Sequence, residues 1–159
     1  MMARYKTFEL AAARKDWQPS ARPKDAIIPG SLLEQPVLVI EDEAMIAWTL
    51  ETMLEDLGFE NVMIASSGEK ATSQAQSFGP RLVISDINLG AGLMDGVSAT
   101  TEIWRCGSPI VIFVSGFVSL ENKTRIESSI SGATILRKPV SAEELRLAIV
   151  EAANRMSAH

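Results

Sequence analysis

The sequence contains one histidine and one cysteine among its 159 residues, and no apolar run approaches the roughly 20 residues that a membrane-spanning helix needs. The histidine is His159, so histidine-based metal sites and Ser-His or Cys-His catalytic pairs are excluded within the fold. Cys106 has no partner for an intramolecular disulfide, and we expect it to be a small buried residue of a helix. The first 30 residues lack the apolar core of a signal peptide. These absences predict a cytoplasmic protein whose chemistry depends on carboxylates.

The charge of the chain is acidic and unevenly distributed. Its formal net charge is −5, which argues against nucleic acid as a partner. Residues 1–36 hold six basic and four acidic side chains, whereas the rest of the chain holds nine basic and sixteen acidic ones. With 47% hydrophobic residues, the chain can build the core of one ordinary globular domain, and no second domain of any size fits.

Residues 1–35 differ from the rest of the chain by their prolines, which leave no room for a long regular element. We predict that these residues form a partly irregular amino-terminal arm, with a short helix over about 6–14 compatible with the sequence. A single domain is predicted to follow over residues 36–159.

From Val37 onward, short apolar runs alternate with segments of helical periodicity, which is the pattern of a parallel sheet with crossover helices. We therefore predict an α/β fold. The five predicted strands span residues 37–41, 61–65, 81–86, 109–115 and 133–137. The five predicted helices span residues 43–57, 67–78, 95–106, 119–131 and 141–156.

Two of these helices carry clear signals. The last begins with Ser141 and Glu144 in the spacing of a capping box, and its predicted buried stripe consists of Leu145, Ala148, Ile149 and Ala152. The first ends at Gly58, and its apolar face consists of Ile46, Leu50, Met53, Leu54 and Leu57. Trp48 falls opposite that face, where it either contacts the amino-terminal arm or belongs to a partner site.

Carboxylates follow two of the predicted strands. Glu41, Asp42 and Glu43 follow the first strand, and Asp86 ends the third. If these strands are parallel neighbours, Glu41, Asp42 and Asp86 meet at the carboxyl edge of the sheet, where open α/β sheets place their ligands. Clustered carboxylates repel one another unless a cation joins them, and oxygen ligands favour Mg²⁺. An acidic triplet alone is explained as a helix start, where carboxylates complement the helix dipole, but the matching Asp86 favours a cation site.

Two further polar residues are predicted at the same edge. Ser115 ends the fourth strand and precedes Gly116 and Phe117, while Lys138 follows the fifth strand and precedes Pro139. Each is a weak signal by itself, because a strand commonly ends in a turn and a lysine is usually a solvated charge. Their agreement in position with the carboxylates is what gives them weight.

Residues 36–156 resemble the receiver domain of bacterial two-component response regulators. The resemblance rests on four features in family order and with family-like spacing, each at a strand end, namely the Glu41-Asp42 pair, Asp86, Ser115 and the Lys138-Pro139 pair. It implies a flavodoxin-like sheet with strand order 2-1-3-4-5, doubly wound with five helices. It also implies a reversible aspartyl phosphate on Asp86, and hence a phosphoacceptor signalling protein rather than an enzyme acting on other substrates.

The resemblance gives each residue of this set a role. Lys138 and the Ser115 hydroxyl bind phosphoryl oxygens, and the hydroxyl moves on phosphorylation. The Mg²⁺ ligands that it implies are Asp42, Asp86, the backbone carbonyl of Asn88 and, through water, Glu41. The donor is a phosphohistidine on a sensor histidine kinase or a histidine phosphotransfer protein, or a small phosphodonor.

Three features depart from the usual family pattern. The loop over residues 88–94 is two residues longer than usual and lacks its proline. Residues 112–117 resemble the Phe-Ala-Thr-Gly-aromatic variant, which is associated with alphaproteobacterial stress signalling and a distinct class of histidine kinases. Ile135 stands where many receivers carry an aromatic residue, so we expect the signal to pass through Phe117 and residues 119–131.

After Pro139 the sequence supplies one helix, so a stand-alone receiver is expected, which either binds a downstream protein when phosphorylated or drains phosphoryl groups from a kinase. A Mg²⁺-dependent phosphohydrolase with an aspartate nucleophile is the alternative. That class needs a second Asp two residues after the nucleophile, where this chain has Asn88. A third interpretation is a degenerate receiver that only binds partners, and the full set of site residues argues against it.

Overall fold

The computed structural model describes residues 26–90 and 92–158, which form a parallel sheet covered by helices on both faces. The strands are β1 (Val37–Ile40), β2 (Val62–Ala65), β3 (Leu82–Ser85), β4 (Ile110–Ser115) and β5 (Thr134–Arg137). Their order in the sheet is β2-β1-β3-β4-β5, as predicted. Each strand begins and ends within one residue of its predicted bounds.

The described residues contain six helices rather than the five expected. They are α1 (Gly30–Leu33), α2 (Ala44–Asp56), α3 (Gly68–Phe78), α4 (Gly96–Gly107), α5 (Leu120–Ser129) and α6 (Ala142–Ser157). The five longer helices correspond to the predicted ones. The predicted helix over residues 6–14 lies outside the described residues.

The additional helix, α1, lies in the segment expected to be irregular. It follows Pro29, whose carbonyl oxygen accepts a hydrogen bond from the Leu32 N–H at 2.8 Å. Ile28 is buried, and Ala26, Leu32 and Leu33 pack against the same core. A four-residue helix has too few residues to show a period, and tertiary contacts rather than local propensity stabilise it.

The core is divided between the two faces of the sheet. Val37 and Val39 of β1 belong to the cluster that packs against α2 and α6, whereas Leu38 and Ile40 belong to the cluster on the side of α3, α4 and α5. Successive side chains of a strand point to opposite faces, and both faces are covered here. That arrangement explains why β1 is apolar at every position.

The helix signals of the sequence are confirmed at both ends of the domain. Ser141 and Glu144 form the capping box of α6, and Gly58 follows α2 with a φ of 101°. Trp48 is 64% exposed, on the side of α2 away from the core. Among residues 26–90 and 92–158, no helix combines the length and apolar character that crossing a lipid bilayer requires.

Cys106 is exposed, so the expectation that it is buried is wrong. It lies in the last turn of α4, beside a groove of about 260 Å³ that also borders Gly79 and Arg81. Thr72, Ala75 and Gln76 of the neighbouring helix α3 line the same groove, which leaves the thiol open to solvent.

Candidate functional site

The register between β1 and β3 brings two carboxylates together. Ile40 pairs with Ser85, so the residues that follow, Glu41 and Asp86, are neighbours at the carboxyl edge. The N–H of Asp86 donates to the carbonyl oxygen of Ile40 at 2.9 Å, which extends the ladder to the site itself. Backbone hydrogen bonds therefore fix the positions from which the two carboxylate side chains start.

The register between β4 and β5 brings a hydroxyl and an ammonium group to the same edge. Ser115 pairs with Arg137, and the next residue is Lys138. The N–H of Lys138 donates to the carbonyl oxygen of Ser115 at 3.0 Å. Parallel strands thus deliver the site residues to one edge of the sheet, as the sequence indicates.

Lys138 forms ion pairs with two carboxylates at once. Its Nζ lies 2.7 Å from Oε2 of Glu41 and 2.9 Å from Oδ2 of Asp86. The side chains of Glu41, Asp86 and Lys138 are only 1%, 8% and 18% exposed. Two buried carboxylates share one ammonium group, so the group as a whole carries negative charge in a poorly solvated place.

Burial and charge shift the pKa values at this site. Burial raises the pKa of the Glu41 carboxyl above its ordinary value, although hydrogen bonds from Lys138 and from the Glu43 N–H act in the opposite direction. Burial alone would lower the pKa of the Lys138 ammonium, but its hydrogen bonds to Glu41 and Asp86 outweigh burial and raise it. Lys138 is therefore held in its charged form beside the carboxylates.

A third carboxylate, Asp42, completes an acidic cluster. One ligand oxygen each from Glu41, Asp42 and Asp86 lie within 4.8 Å of one another. Oδ2 of Asp42 also accepts a hydrogen bond from the Gly90 N–H at 2.9 Å. The cluster offers only oxygen ligands and more negative charge than Lys138 neutralises, so its composition fits a hard divalent cation such as Mg²⁺.

Asn88 connects the carboxylate cluster to the loop after β4. Its backbone N–H donates to Oδ1 of Asp86 at 3.1 Å. Its Nδ2 donates to the carbonyl oxygen of Phe117 at 3.1 Å and lies 3.4 Å from the hydroxyl oxygen of Ser115. The Asn88 side chain is thus a hydrogen-bond donor, and position 88 provides no carboxylate near Asp86.

Gly96 is a structural requirement of the site that the sequence argument missed. A Cβ at this position would collide with the backbone carbonyl oxygen of Asp86, and the Gly96 N–H donates to the carbonyl oxygen of Ile87 at 3.0 Å. The sequence signal for a helix start at this glycine was Asp95, which directly precedes it. Asp95 caps α4, since its side chain accepts a hydrogen bond from the Ser98 N–H at 2.7 Å. A helix that starts this close to a site residue tolerates only glycine.

The loop between β3 and α4 is held by a second carboxylate that sequence reasoning also missed. Oε1 of Glu69, in the first turn of α3, accepts from the N–H groups of Leu93 and Met94 at 2.7 and 3.0 Å. Gly92, with a φ of 86°, lies close to the same carboxylate. Since the donors are backbone groups, no side chain of the loop indicates this contact in the sequence.

Comparisons with known proteins agree in what they find. The family model described as "Response regulator receiver domain" matches residues 37–150. The transcriptional regulatory protein PdtaR of Mycobacterium tuberculosis is 31% identical over 131 residues, which cover 82% of this chain and 60% of PdtaR. The chain therefore spans less than two thirds of the length of this relative.

Two solved structures are similar over most of the chain. The signal receiver domain of a modulated diguanylate cyclase from Desulfovibrio desulfuricans is 28% identical with a TM-score of 0.72, over 79% of this chain and 98% of that one. The response regulator PhyR from Brucella abortus is 29% identical with a TM-score of 0.62, over 82% of this chain and 55% of that one. Both are receiver-domain or response-regulator structures by their descriptions.

Proposed function

The chain belongs to the receiver-domain family of response regulators, and from that premise we propose that Asp86 accepts a phosphoryl group in a Mg²⁺-dependent reaction. One observation carries the proposal. The Asp86 carboxylate is held by the Lys138 ammonium and the Asn88 N–H, beside Glu41 and Asp42, at the carboxyl edge of the sheet. A carboxylate fixed in this way has a defined orientation toward an incoming phosphorus atom.

In the proposed reaction, a bond forms between a carboxylate oxygen of Asp86 and phosphorus, and the bond between phosphorus and an imidazole nitrogen of the donor breaks. The main obstacle is repulsion between the carboxylate and the anionic phosphoryl group. Lys138, 2.9 Å from Oδ2 of Asp86, reduces this repulsion and is placed to bind a phosphoryl oxygen on the same carboxylate. The residues that would hold Mg²⁺ are Glu41, Asp42, Asp86 and the carbonyl of Asn88, and the ion, when bound, supplies further positive charge.

Ser115 is the proposed link between the phosphoryl group and a change of conformation. A hydroxyl carries one proton, and that of Ser115 donates to the carbonyl oxygen of Phe117 at 3.0 Å. To donate to a phosphoryl oxygen, the hydroxyl must give up this bond. The backbone at Phe117 then loses one of its two donors and the loop before α5 is free to shift, which is the proposed conformational signal.

The donor and the output complete the proposal. We propose that the donor is a sensor histidine kinase or a histidine phosphotransfer protein, and that the domain over residues 36–159 either switches a downstream partner or drains phosphoryl groups from that donor. Residues 1–35 are the proposed amino-terminal arm. Residues 112–117 support the proposal that the chain belongs to the Phe-Ala-Thr-Gly-aromatic subfamily. The proposed location of the protein is the cytoplasm.

The phosphohydrolase alternative has less support. It requires an acid or base two residues after the nucleophile, and Asn88 uses its amide there to hold the carbonyl oxygen of Phe117. The interpretation as a pure binding module leaves unexplained why Glu41, Asp86 and Lys138 are kept together in a buried ion pair.

The proposal is tested by intact-mass measurement after incubation with acetyl phosphate and Mg²⁺. We expect the chain to gain one phosphoryl group, the Asp86→Asn variant to gain none, and the Asp56→Asn variant, which changes an exposed carboxylate at the end of α2, to behave as the wild type. An equal gain in Asp86→Asn, or no gain in the wild type with either acetyl phosphate or a phosphorylated histidine phosphotransfer protein, would contradict the proposal. Steady release of phosphate from added phosphomonoesters would favour the phosphohydrolase instead.

A further inference from the structure

A cluster of polar side chains outside the Asp86 site joins α5 to the start of α4. The guanidinium of Arg125 binds the Asp95 carboxylate with two hydrogen bonds, from Nη1 to Oδ2 at 2.7 Å and from Nη2 to Oδ1 at 3.2 Å. It also donates to the Ser98 hydroxyl at 3.0 Å and to Oδ1 of Asn122 at 3.1 Å. A bidentate ion pair with two further hydrogen bonds fixes the distance and orientation of the two helices more firmly than a single exposed contact does.

Asp95 lies on the firmly held side of this cluster. It caps α4, and Gly96 directly after it packs so closely against the backbone carbonyl oxygen of Asp86 that no Cβ fits there. The Gly96 N–H also donates to the carbonyl oxygen of Ile87 at 3.0 Å. The start of α4 is therefore attached to the backbone that follows β3, and Asp95 is fixed with it.

Arg125 lies on the weakly held side. Ile126 is the one buried residue among the ten of α5, all of which the structure describes, so little apolar packing holds this helix. Its N-terminal end follows the loop at Phe117, whose carbonyl oxygen accepts hydrogen bonds from Ser115 and Asn88. A displacement of α5 by about 1 Å away from α4 takes the hydrogen bonds of Arg125 beyond the usual range of donor–acceptor distances.

We propose that the ion pair between Asp95 and Arg125 is an autoinhibitory contact, which holds α5 in the arrangement of the unphosphorylated domain. This role rests on the proposed function, because displacement of the loop at Phe117 on phosphorylation of Asp86 is what pulls Arg125 away. An equilibrium between two arrangements shifts by as much as a contact differs between them. Exposed ion pairs shift such an equilibrium by up to about fivefold. Because this pair is bidentate and has two further hydrogen bonds, its loss should raise the switched population roughly 3- to 10-fold.

Three variants of the full chain test the contact. Asp95→Asn keeps a side-chain oxygen for the Ser98 N–H that caps α4 but loses the charge. Arg125→Met keeps a long side chain without its charge and donors, whereas Arg125→Lys keeps the charge without the bidentate geometry.

The measurement follows the amide resonances of residues 116–131. In unphosphorylated Asp95→Asn and Arg125→Met, we expect them to move part of the way toward the positions that they occupy in the wild type under acetyl phosphate and Mg²⁺. Arg125→Lys should move them less. Because the first two variants remove the same contact, the double variant should move the resonances no further than either single one.

Glu143→Gln is the matched control. The Glu143 carboxylate also accepts two guanidinium hydrogen bonds, from Nε and Nη2 of Arg146 at 2.8 Å each, but both residues belong to α6. Removing this pair should leave the resonances of residues 116–131 in place. Equal displacements in Glu143→Gln and Asp95→Asn, or displacements unrelated to those that phosphorylation causes, would overturn the proposal. A loss of stability in urea without any displacement would assign the pair a purely structural role and would also overturn it.

Intact-mass measurement on the same samples separates this proposal from the proposed function. If the wild type gains a phosphoryl group and its resonances over residues 116–131 move, but both charge-removing variants match the unphosphorylated wild type, the autoinhibitory contact alone is wrong. If the wild type gains no phosphoryl group, the proposed function is wrong, and the autoinhibitory role is overturned with it.

Discussion

The hydroxyl of Ser115 donates a hydrogen bond to the carbonyl oxygen of Phe117, 3.0 Å away. Ser115 is buried at the end of β4, whereas the Phe117 side chain is half exposed in the loop that leads to α5. The same carbonyl oxygen accepts a second hydrogen bond, from Nδ2 of Asn88. The loop before α5 is thus attached to the two residues that flank the Asp86 carboxylate.

Replacing Ser115 should separate phosphorylation from its conformational consequence. We expect Ser115→Ala to accept a phosphoryl group but to show little change in hydrogen exchange over residues 116–131, whereas Ser115→Thr keeps the hydroxyl and the change. A hydrogen bond to a charged acceptor contributes about 1.5–3 kcal/mol, so its loss should lower the switched population roughly 10- to 100-fold. Exchange that changes around Ile135 on phosphorylation but not over residues 116–131 would contradict this route.

Replacing Asp42 should abolish Mg²⁺ binding at the site and, with it, phosphorylation. We expect Asp42→Ala to lose both Mg²⁺ binding and phosphorylation, since the remaining carboxylates repel the phosphoryl group without a cation. Asp42→Asn keeps an oxygen for the Gly90 N–H but loses the charge, so it separates cation binding from attachment of the loop. Titration with Mg²⁺ and intact-mass measurement check both variants, with Glu43→Ala as the control, and phosphorylation of Asp42→Ala in excess chelator would refute the site.

Phe117 should control how long the phosphoryl group survives. In receivers, the residues two positions after the phosphoacceptor and two positions after the hydroxyl residue flank the path of water. Here these residues are Asn88 and Phe117, and neither side chain takes up a proton readily. We expect Phe117→Glu to shorten the phosphorylated lifetime roughly tenfold at fixed Mg²⁺, by orienting water, an effect smaller than that of a full general base. The Phe117 and Leu120 side chains are 53% and 81% exposed, so Leu120→Glu is a suitable control, and an unchanged or longer lifetime in Phe117→Glu would count against the role.

Gly96 should be indispensable for stability as well as for the site. We expect Gly96→Ala to lower the free energy of unfolding by about 3 kcal/mol or more, because the added Cβ overlaps the backbone carbonyl oxygen of Asp86. Gly107→Ala, at the other end of α4, has no atom within 4 Å of the added Cβ and should be neutral or stabilising by up to about 1 kcal/mol. Urea unfolding of both variants provides the comparison, and similar stabilities would show that the helix shifts to accommodate the methyl group.

Apolar runs that end in polar residues allowed most of the fold and the main geometry of the site to be predicted. β1 and β3 are buried on both faces, so β1 is apolar throughout, β3 is apolar up to Ser85, and a carboxylate directly follows each strand. The register of parallel strands then brings Glu41 next to Asp86 without any further information. Local side-chain signals were equally reliable, as the capping box of Ser141 and Glu144 illustrates.

The features that escaped prediction depend on backbone groups or on distant packing. Helix α1 is stabilised by contacts with residues remote in sequence, and Cys106 is exposed because a groove remains between α3 and α4 beside it. The need for glycine at position 96 arises from the approach of a helix to the carbonyl oxygen of Asp86. None of these causes leaves a periodic pattern in the chain.

The loop between β3 and α4 is attached to the domain at two places. Asp42 holds the Gly90 N–H and Glu69 holds the Leu93 and Met94 N–H groups, so only two residues lie between the attached positions 90 and 93. The entropy lost on closing a loop depends on the number of residues between fixed points, and it rises by only about 0.6 kcal/mol for each doubling of that number. The two attachments divide one long span into shorter ones, so the loop leaves Asp86 without a correspondingly long unrestrained segment.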